Sequence, residues 1–93
     1  MEPLPEAEIE TSLAGLDGRW RREGGQLVAD LECENFAAVI ELVNRIAAEA
    51  ERADHHPDLL VHGYKHLRVT LSTHDAGGLT ERDFALARTL DTL

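Results

Sequence analysis

Between residues 19 and 71 the spacing of apolar side chains changes period twice, and few folds accommodate such a chain. From Arg19 to Glu32 the period is two: Leu27, Ala29 and Leu31 alternate with Val28, Asp30 and Glu32, behind a Glu23-Gly24-Gly25 turn. Alternation of this kind puts one set of side chains on each face of a strand. Phe36, Val39, Ile40, Val43, Ala47 and Ala50 then recur at three- and four-residue steps, which is helical spacing, with Asn35 as N-cap and Glu41 and Arg45 set as an i, i+4 pair. The helix is expected to end near Ala53-Asp54, because Pro57 disfavours the helical region for His56. Leu59, Leu60 and Val61 then run to a break at Gly63, and period two returns in Leu67, Val69 and Leu71.

Helical spacing closes both ends of the chain. Pro3 and Pro5 open a short helix with Ile9, Leu13 and Leu16 on one face, and Gly15 and Gly18 supply its exit. Near the C-terminus, Ala76-Gly77-Gly78 is a flexible turn. Thr80 then N-caps a helix, Asp83 follows three residues later, Leu79 is placed to staple onto Phe84, and Ala87 and Leu90 continue the buried face. The order α-β-β-α-β-β-α, with strands in adjacent pairs, predicts an α+β two-layer sandwich: a four-stranded antiparallel sheet with helices on one face.

A chain of 93 residues is expected to form a single domain over 1–93. Its core is thin for the entropy it must offset, and one cysteine, Cys33, excludes an intrachain disulfide, which points to subunit association and a reducing cytoplasm. Lys+Arg 9 against Asp+Glu 18 gives −9, with no basic stripe, which argues against nucleic acid or anionic lipid as a partner. No apolar run approaches the ~20 residues of a membrane span, and the acidic start MEPLPEAEIE is unlike a signal peptide.

All five histidines, residues 55, 56, 62, 66 and 74, fall in one 20-residue stretch, away from the acidic excess of the first 54 residues. Asp54-His55-His56-Pro57 lies where a helix gives way to a strand, and adjacent side chains there diverge, so the two imidazoles are not duplicates. His74 ends the strand Leu67–Thr73. Antiparallel pairing of that strand with Leu59–Val61 returns its end toward His55 and His56. Imidazoles titrate near neutrality, so three in one mouth make an acid/base set. His62 and His66 read as solvated residues: along one strand they would stand roughly 13 Å apart, too far for shared chelation. A zinc site on His55, His56 and His74 is disfavoured by neighbouring ligands and the lack of a second cysteine. No phosphate-binding loop or Ser/Cys nucleophile is legible. The residues alone indicate a histidine-based acid/base site or small-ligand pocket with no cofactor.

Glu51-Arg52-Ala53-Asp54-His55-His56-Pro57-Asp58, Tyr64, and the run from Val69 through Thr73-His74-Asp75-Ala76-Gly77-Gly78-Leu79-Thr80 to Asp83 resemble the pterin-4a-carbinolamine dehydratase family. Trp20, Asn35-Phe36 and Asn44-Arg45-Ile46-Ala47 resemble it too, so the likeness runs from about Leu13 to Asp91. The resemblance implies the same sandwich fold, homodimers or homotetramers, and dehydration of 4a-hydroxytetrahydropterin to quinonoid dihydropterin, with neither metal nor redox cofactor. By motif position it makes His55 and His74 the acid/base pair and gives His56 the binding of the pterin. Pro57, Thr73, Asp75 and Ala76 would line the ring pocket, and Glu51 and Asp54 would fix an imidazole's tautomer. The chain departs from the animal enzymes in having six residues, Asp58–Gly63, between Pro57 and Tyr64, in Arg19 between Gly18 and Trp20, and in Leu31 and Cys33 at commonly aromatic positions. In that respect it is similar to dehydratase-like proteins of chloroplasts and bacteria, some tied to Rubisco assembly. That likeness implies a second reading, with a protein partner.

Overall fold

Two hairpins make the sheet. In the computed structural model, which describes residues 1–93, the elements are α1 (Glu6–Ala14), β1 (Trp20–Glu23), β2 (Gln26–Glu32), α2 (Phe36–Ala53), β3 (Asp58–His62), β4 (His66–Leu71) and α3 (Glu81–Leu90), with a 3₁₀ turn at His74–Ala76. The sheet order is β1-β2-β4-β3, antiparallel throughout. The first hairpin turns at Gly24-Gly25, where Glu23 faces Gln26 and Gly24 takes φ +59°. A positive φ at that corner is what a two-residue hairpin needs, and glycine meets it without strain.

Alternation sorts the two faces. Leu27 and Ala29 of β2 pair with Leu71 and Val69 of β4, and these side chains are buried in one cluster with Val39 and Ile46 of α2 and Phe84, Leu86 and Leu90 of α3. Leu79 and Phe84 both lie in it, as a staple across the start of α3 requires. On the open face Asp30 lies opposite Arg68, whose Nε donates to Oδ1 at 2.7 Å, and Arg21 donates to Oδ2 at 2.8 Å. The two guanidiniums hold the Asp30 carboxyl well below its ordinary range, at about 2.

The chain ends are tied to the sandwich by polar contacts. The Leu4 N–H donates to the Leu79 carbonyl at 2.8 Å, and Arg22 of β1 pairs with Glu6 of α1, lowering the Glu6 pKa. Trp20 is buried, and its indole Nε1–H donates to Asp91 Oδ1 at 2.8 Å, joining the start of β1 to the end of α3. No helix is long and apolar enough to cross a membrane.

Four features differ from the sequence expectation. The β4 ladder stops at Leu71, so His74 sits on a 3₁₀ turn beyond the strand, and Thr73 makes only an isolated bridge to Gly78. His62 and His66 do not lie along one strand: Gly63 and Tyr64, both at positive φ, turn the chain so that the two pair across the hairpin with ring centroids 5.6 Å apart. Finally, the apolar residues of α2 form two stripes. Val39, Ile46 and Ala50 are buried, whereas Phe36 and Ile40 are 50% and 38% exposed. Glu41 and Arg45 form no ion pair; the one within α2 joins Arg52 to Glu49 at 2.5 Å.

Candidate active site

The end of α2 fixes the histidine pair. Asn35 starts the helix by accepting the Ala38 N–H at 2.8 Å, and at the other end Asp54 adopts the left-handed conformation, φ 49° and ψ 44°. The Asp54 N–H returns to the Glu51 carbonyl at 3.2 Å and the His55 N–H to the Ala50 carbonyl at 3.1 Å. This is a Schellman closure with an aspartate in the place glycine usually takes, at a cost of about 1 kcal/mol. Arg82 of α3 donates to the Asp54 carbonyl, holding the corner from the other helix. The backbone reversal sends neighbouring side chains apart: His55 turns inward and is 8% exposed, and His56 remains outside, paired through Nε2 with Glu51.

His55 meets a partner that sequence reasoning assigned only to capping. Its Nε2 lies 2.6 Å from Oδ1 of Asp83, which is fully buried. Asp83 Oδ2 accepts the Thr80 N–H at 2.9 Å and the Thr73 hydroxyl at 2.7 Å. With the Thr73 proton spent on Asp83, its oxygen accepts the Thr80 hydroxyl, 2.7 Å away. A carboxylate only accepts, so His55 carries its proton on Nε2 and keeps the Nδ1 lone pair free. The capping box of α3 is therefore also the anchor of an imidazole. No buried side-chain polar atom in the protein lacks a partner.

His74 approaches from the other side. Its turn is closed by the Ala76 and Gly77 N–H groups on the Thr73 carbonyl, at 3.0 and 3.1 Å, and by the Thr73 N–H on the Gly78 carbonyl at 3.2 Å. His74 is exposed and its ring makes no hydrogen bond within the chain, so it is free to serve a ligand. Asp54, His55, His56, Thr73, His74 and Asp75 line one cavity of about 190 Å³, together with Ser72 and Arg82. Six of the nine residues singled out in the sequence thus meet there. Glu51, Pro57 and Ala76 do not line it: Glu51 holds His56 from outside, Pro57 opens β3, and Ala76 closes the His74 turn.

Asp83, Ser72 and Arg82 are the additions the structure makes. The only signal for Asp83 was its capping-box position, and the third residue of a capping box is commonly solvated. Its burial follows from Thr73, which leaves the β4 ladder to meet it.

Taken together, fold and cleft define a two-layer α-β-β-α-β-β-α protein with imidazoles of opposed elements facing one polar cavity, one of them anchored by a buried carboxylate. The chain belongs to the pterin 4 alpha carbinolamine dehydratase family, whose model matches residues 2–93. It is 46% identical over 92 residues to a protein of Nocardia farcinica, covering 99% of this chain and 95% of that protein. It is 45% identical over 93 residues to one of Chloroflexus aurantiacus, covering 100% of this chain and 98% of the other. Both carry the name "putative pterin-4-alpha-carbinolamine dehydratase". Among solved structures it resembles a transcriptional coactivator/pterin dehydratase from Brucella melitensis, with TM-score 0.89 and 30% identity over 98% of this chain and 97% of that one. A pterin dehydratase-like protein identified as a RuBisCO assembly factor of the alpha-carboxysome shares the fold, with TM-score 0.61 and 20% identity over 80% of this chain and 84% of that one.

Proposed function

We propose that this protein is a cytoplasmic hydro-lyase that dehydrates 4a-hydroxytetrahydropterin to quinonoid dihydropterin and water, the recycling step after aromatic amino-acid hydroxylation. The observation that carries the proposal is the convergence of His55, His56 and His74 on one cavity, with His55 held in a single tautomer by buried Asp83. Hydroxide is a poor leaving group, so the C4a oxygen needs a proton as the C–O bond breaks, and N5 must lose one as the C4a–N5 double bond forms. His74, whose ring is unengaged, supplies the proton that leaves as water. His55, with its Nδ1 lone pair, takes the N5 proton, and His56, backed by Glu51, orients the ring from the outer side. Asp54, Asp75 and Thr73 contribute polar contacts to the ring. Only protons and water move, and groups of this kind contribute about 10²–10⁴-fold each.

The test generates the 4a-carbinolamine with a hydroxylase and follows the decay of its ultraviolet absorbance. The protein is expected to accelerate the decay, and His55→Ala or His74→Ala to remove the acceleration. Decay at the buffer rate with the unaltered protein would sink the proposal. The interaction-protein reading is supported by the name of the Brucella melitensis structure, a transcriptional coactivator/pterin dehydratase at 30% identity, whereas the likeness to the assembly factor at 20% identity bears on the fold alone.

We further propose a homodimer or homotetramer built on α2. Phe36, Ile40, Val43 and Ala47 follow steps of four, three and four residues, the seam spacing of paired helices, and Phe36 and Ile40 are exposed in the single chain.

A further inference from the structure

The two histidines outside the cavity belong to a group of their own, on the open face of the sheet at the end of β4 away from the His74 turn. Glu32 of β2, His66 of β4 and His62 of β3 are direct cross-strand partners. Such partners share a face, so the three side chains stand in one row across three strands. The hairpin makes the row. Gly63 and Tyr64 take φ +57° and +71°, which turns the chain back and sets the two imidazoles with ring centroids 5.6 Å apart and planes 26° apart. Gly63 also makes room for one of them, since a Cβ there would stand 3.0 Å from Cδ2 of His66. Neither ring makes a hydrogen bond within the chain: Glu32 Oε1 lies 3.8 Å from His66 Nε2, beyond hydrogen-bond length. The same oxygen lies 3.8 Å from Lys65 Nζ. None of the three lines the histidine cavity, and β4 itself, ~17 Å from His66 to Leu71, separates the two groups.

We infer that His62 and His66 form a clamp for a divalent transition-metal ion of the zinc type, with Glu32 as its third ligand. Zinc–nitrogen bonds are about 2.0–2.1 Å, so two imidazoles sharing one ion at a tetrahedral angle have centroids about 5 Å apart. A small rotation of the rings reaches that spacing from 5.6 Å. As the side chains stand, no three donors converge on one point. The two rings therefore take the ion first. The Glu32 side chain, 62% exposed, then swings from Lys65 to the third position and leaves a fourth for water. Two nitrogens and one carboxylate oxygen suit zinc, whereas magnesium and calcium take oxygen ligands. Bound there, the ion ties β2, β4 and the edge strand β3 together at one end of the sheet, and because it binds only the folded chain it raises the melting temperature.

The experiment titrates the full chain with zinc chloride and follows the heat of binding and the nitrogen chemical shifts of the histidine rings. One ion per chain is expected to move the His62 and His66 signals first. His62→Ala and His66→Ala are each expected to weaken binding about 10-fold or more, and Glu32→Gln to weaken it less. None of the three positions is buried, so the variants should keep the parent's circular dichroism. His74→Ala removes an imidazole of the other group and is expected to change this affinity by less than about twofold. Magnesium chloride at the same concentration is expected to displace none of the zinc. Absence of binding, an affinity indifferent to both His62→Ala and His66→Ala, or a loss on His74→Ala equal to theirs each overturns the assignment.

Discussion

Asp83 shows how much a single side chain can be asked to do, and its amide variant separates the tasks. The two donors on Oδ2, the Thr80 N–H and the Thr73 hydroxyl, come from a helix start and a strand exit. The backbone donor cannot reorient, so the amide of Asp83→Asn must place its oxygen there and turn its NH₂ toward His55. An NH₂ only donates, so Nε2 of His55 must then accept and its proton moves to Nδ1, the atom the proposed mechanism uses as base. We expect Asp83→Asn to keep the capping box and lose only about 1 kcal/mol of stability. Carbinolamine turnover is expected to fall about 10²-fold or more. Nitrogen chemical shifts of the His55 ring should report the exchanged tautomer; a variant that keeps both the tautomer and full activity would refute the assignment. At this scale the sequence was half legible. The histidines stood out because they cluster, whereas Asp83 looked like an ordinary cap because nothing local marks an aspartate that is buried by a distant threonine.

Elements were most legible where glycine punctuates them. Gly24, Gly63 and Gly77 mark the turns because their positive φ angles exclude most other residues. The end of β4 was obscured because Ser72 and Thr73 continue the strand composition, while Thr73 spends its hydroxyl on Asp83 and leaves the ladder. On the open face the Arg21–Asp30–Arg68 group crosses three strands and links the sheet's order to pH. The Asp30 carboxyl has its folded pKa depressed from 3.8 to about 2. Its contribution to stability is therefore present above about pH 4 and fades as the pH falls toward 2. Asp30→Asn is expected to melt at a lower temperature than the parent at pH 6, with the difference largely gone near pH 2. Because the group is solvent-facing, salt should also diminish it. Equal melting temperatures at pH 6 in low salt would show that the arginines do not favour the ionised form.

For the molecule as a whole, the informative mismatch lies along α2. One helix carries two adjacent apolar stripes, and a sequence lists both with the same spacing, so the buried and the exposed stripe merge until the sheet is in place. The residues left outside, Phe36 and Ile40, are those a second copy would cover. Ile40→Glu would set a charge in that seam, and sedimentation is expected to show a monomer in place of the proposed oligomer of the parent, with the helical content unchanged. An oligomer that survives the charge would move the interface elsewhere. The contact between Trp20 and Asp91 has a different kind of consequence. Trp20 is the single tryptophan of the chain, so its fluorescence has one source, and that source sits where the first strand and the last helix are held together. Loss of the indole hydrogen bond and entry of water should shift the emission to the red. The protein thus carries a built-in optical reporter for detachment of its C-terminal helix, readable without any label.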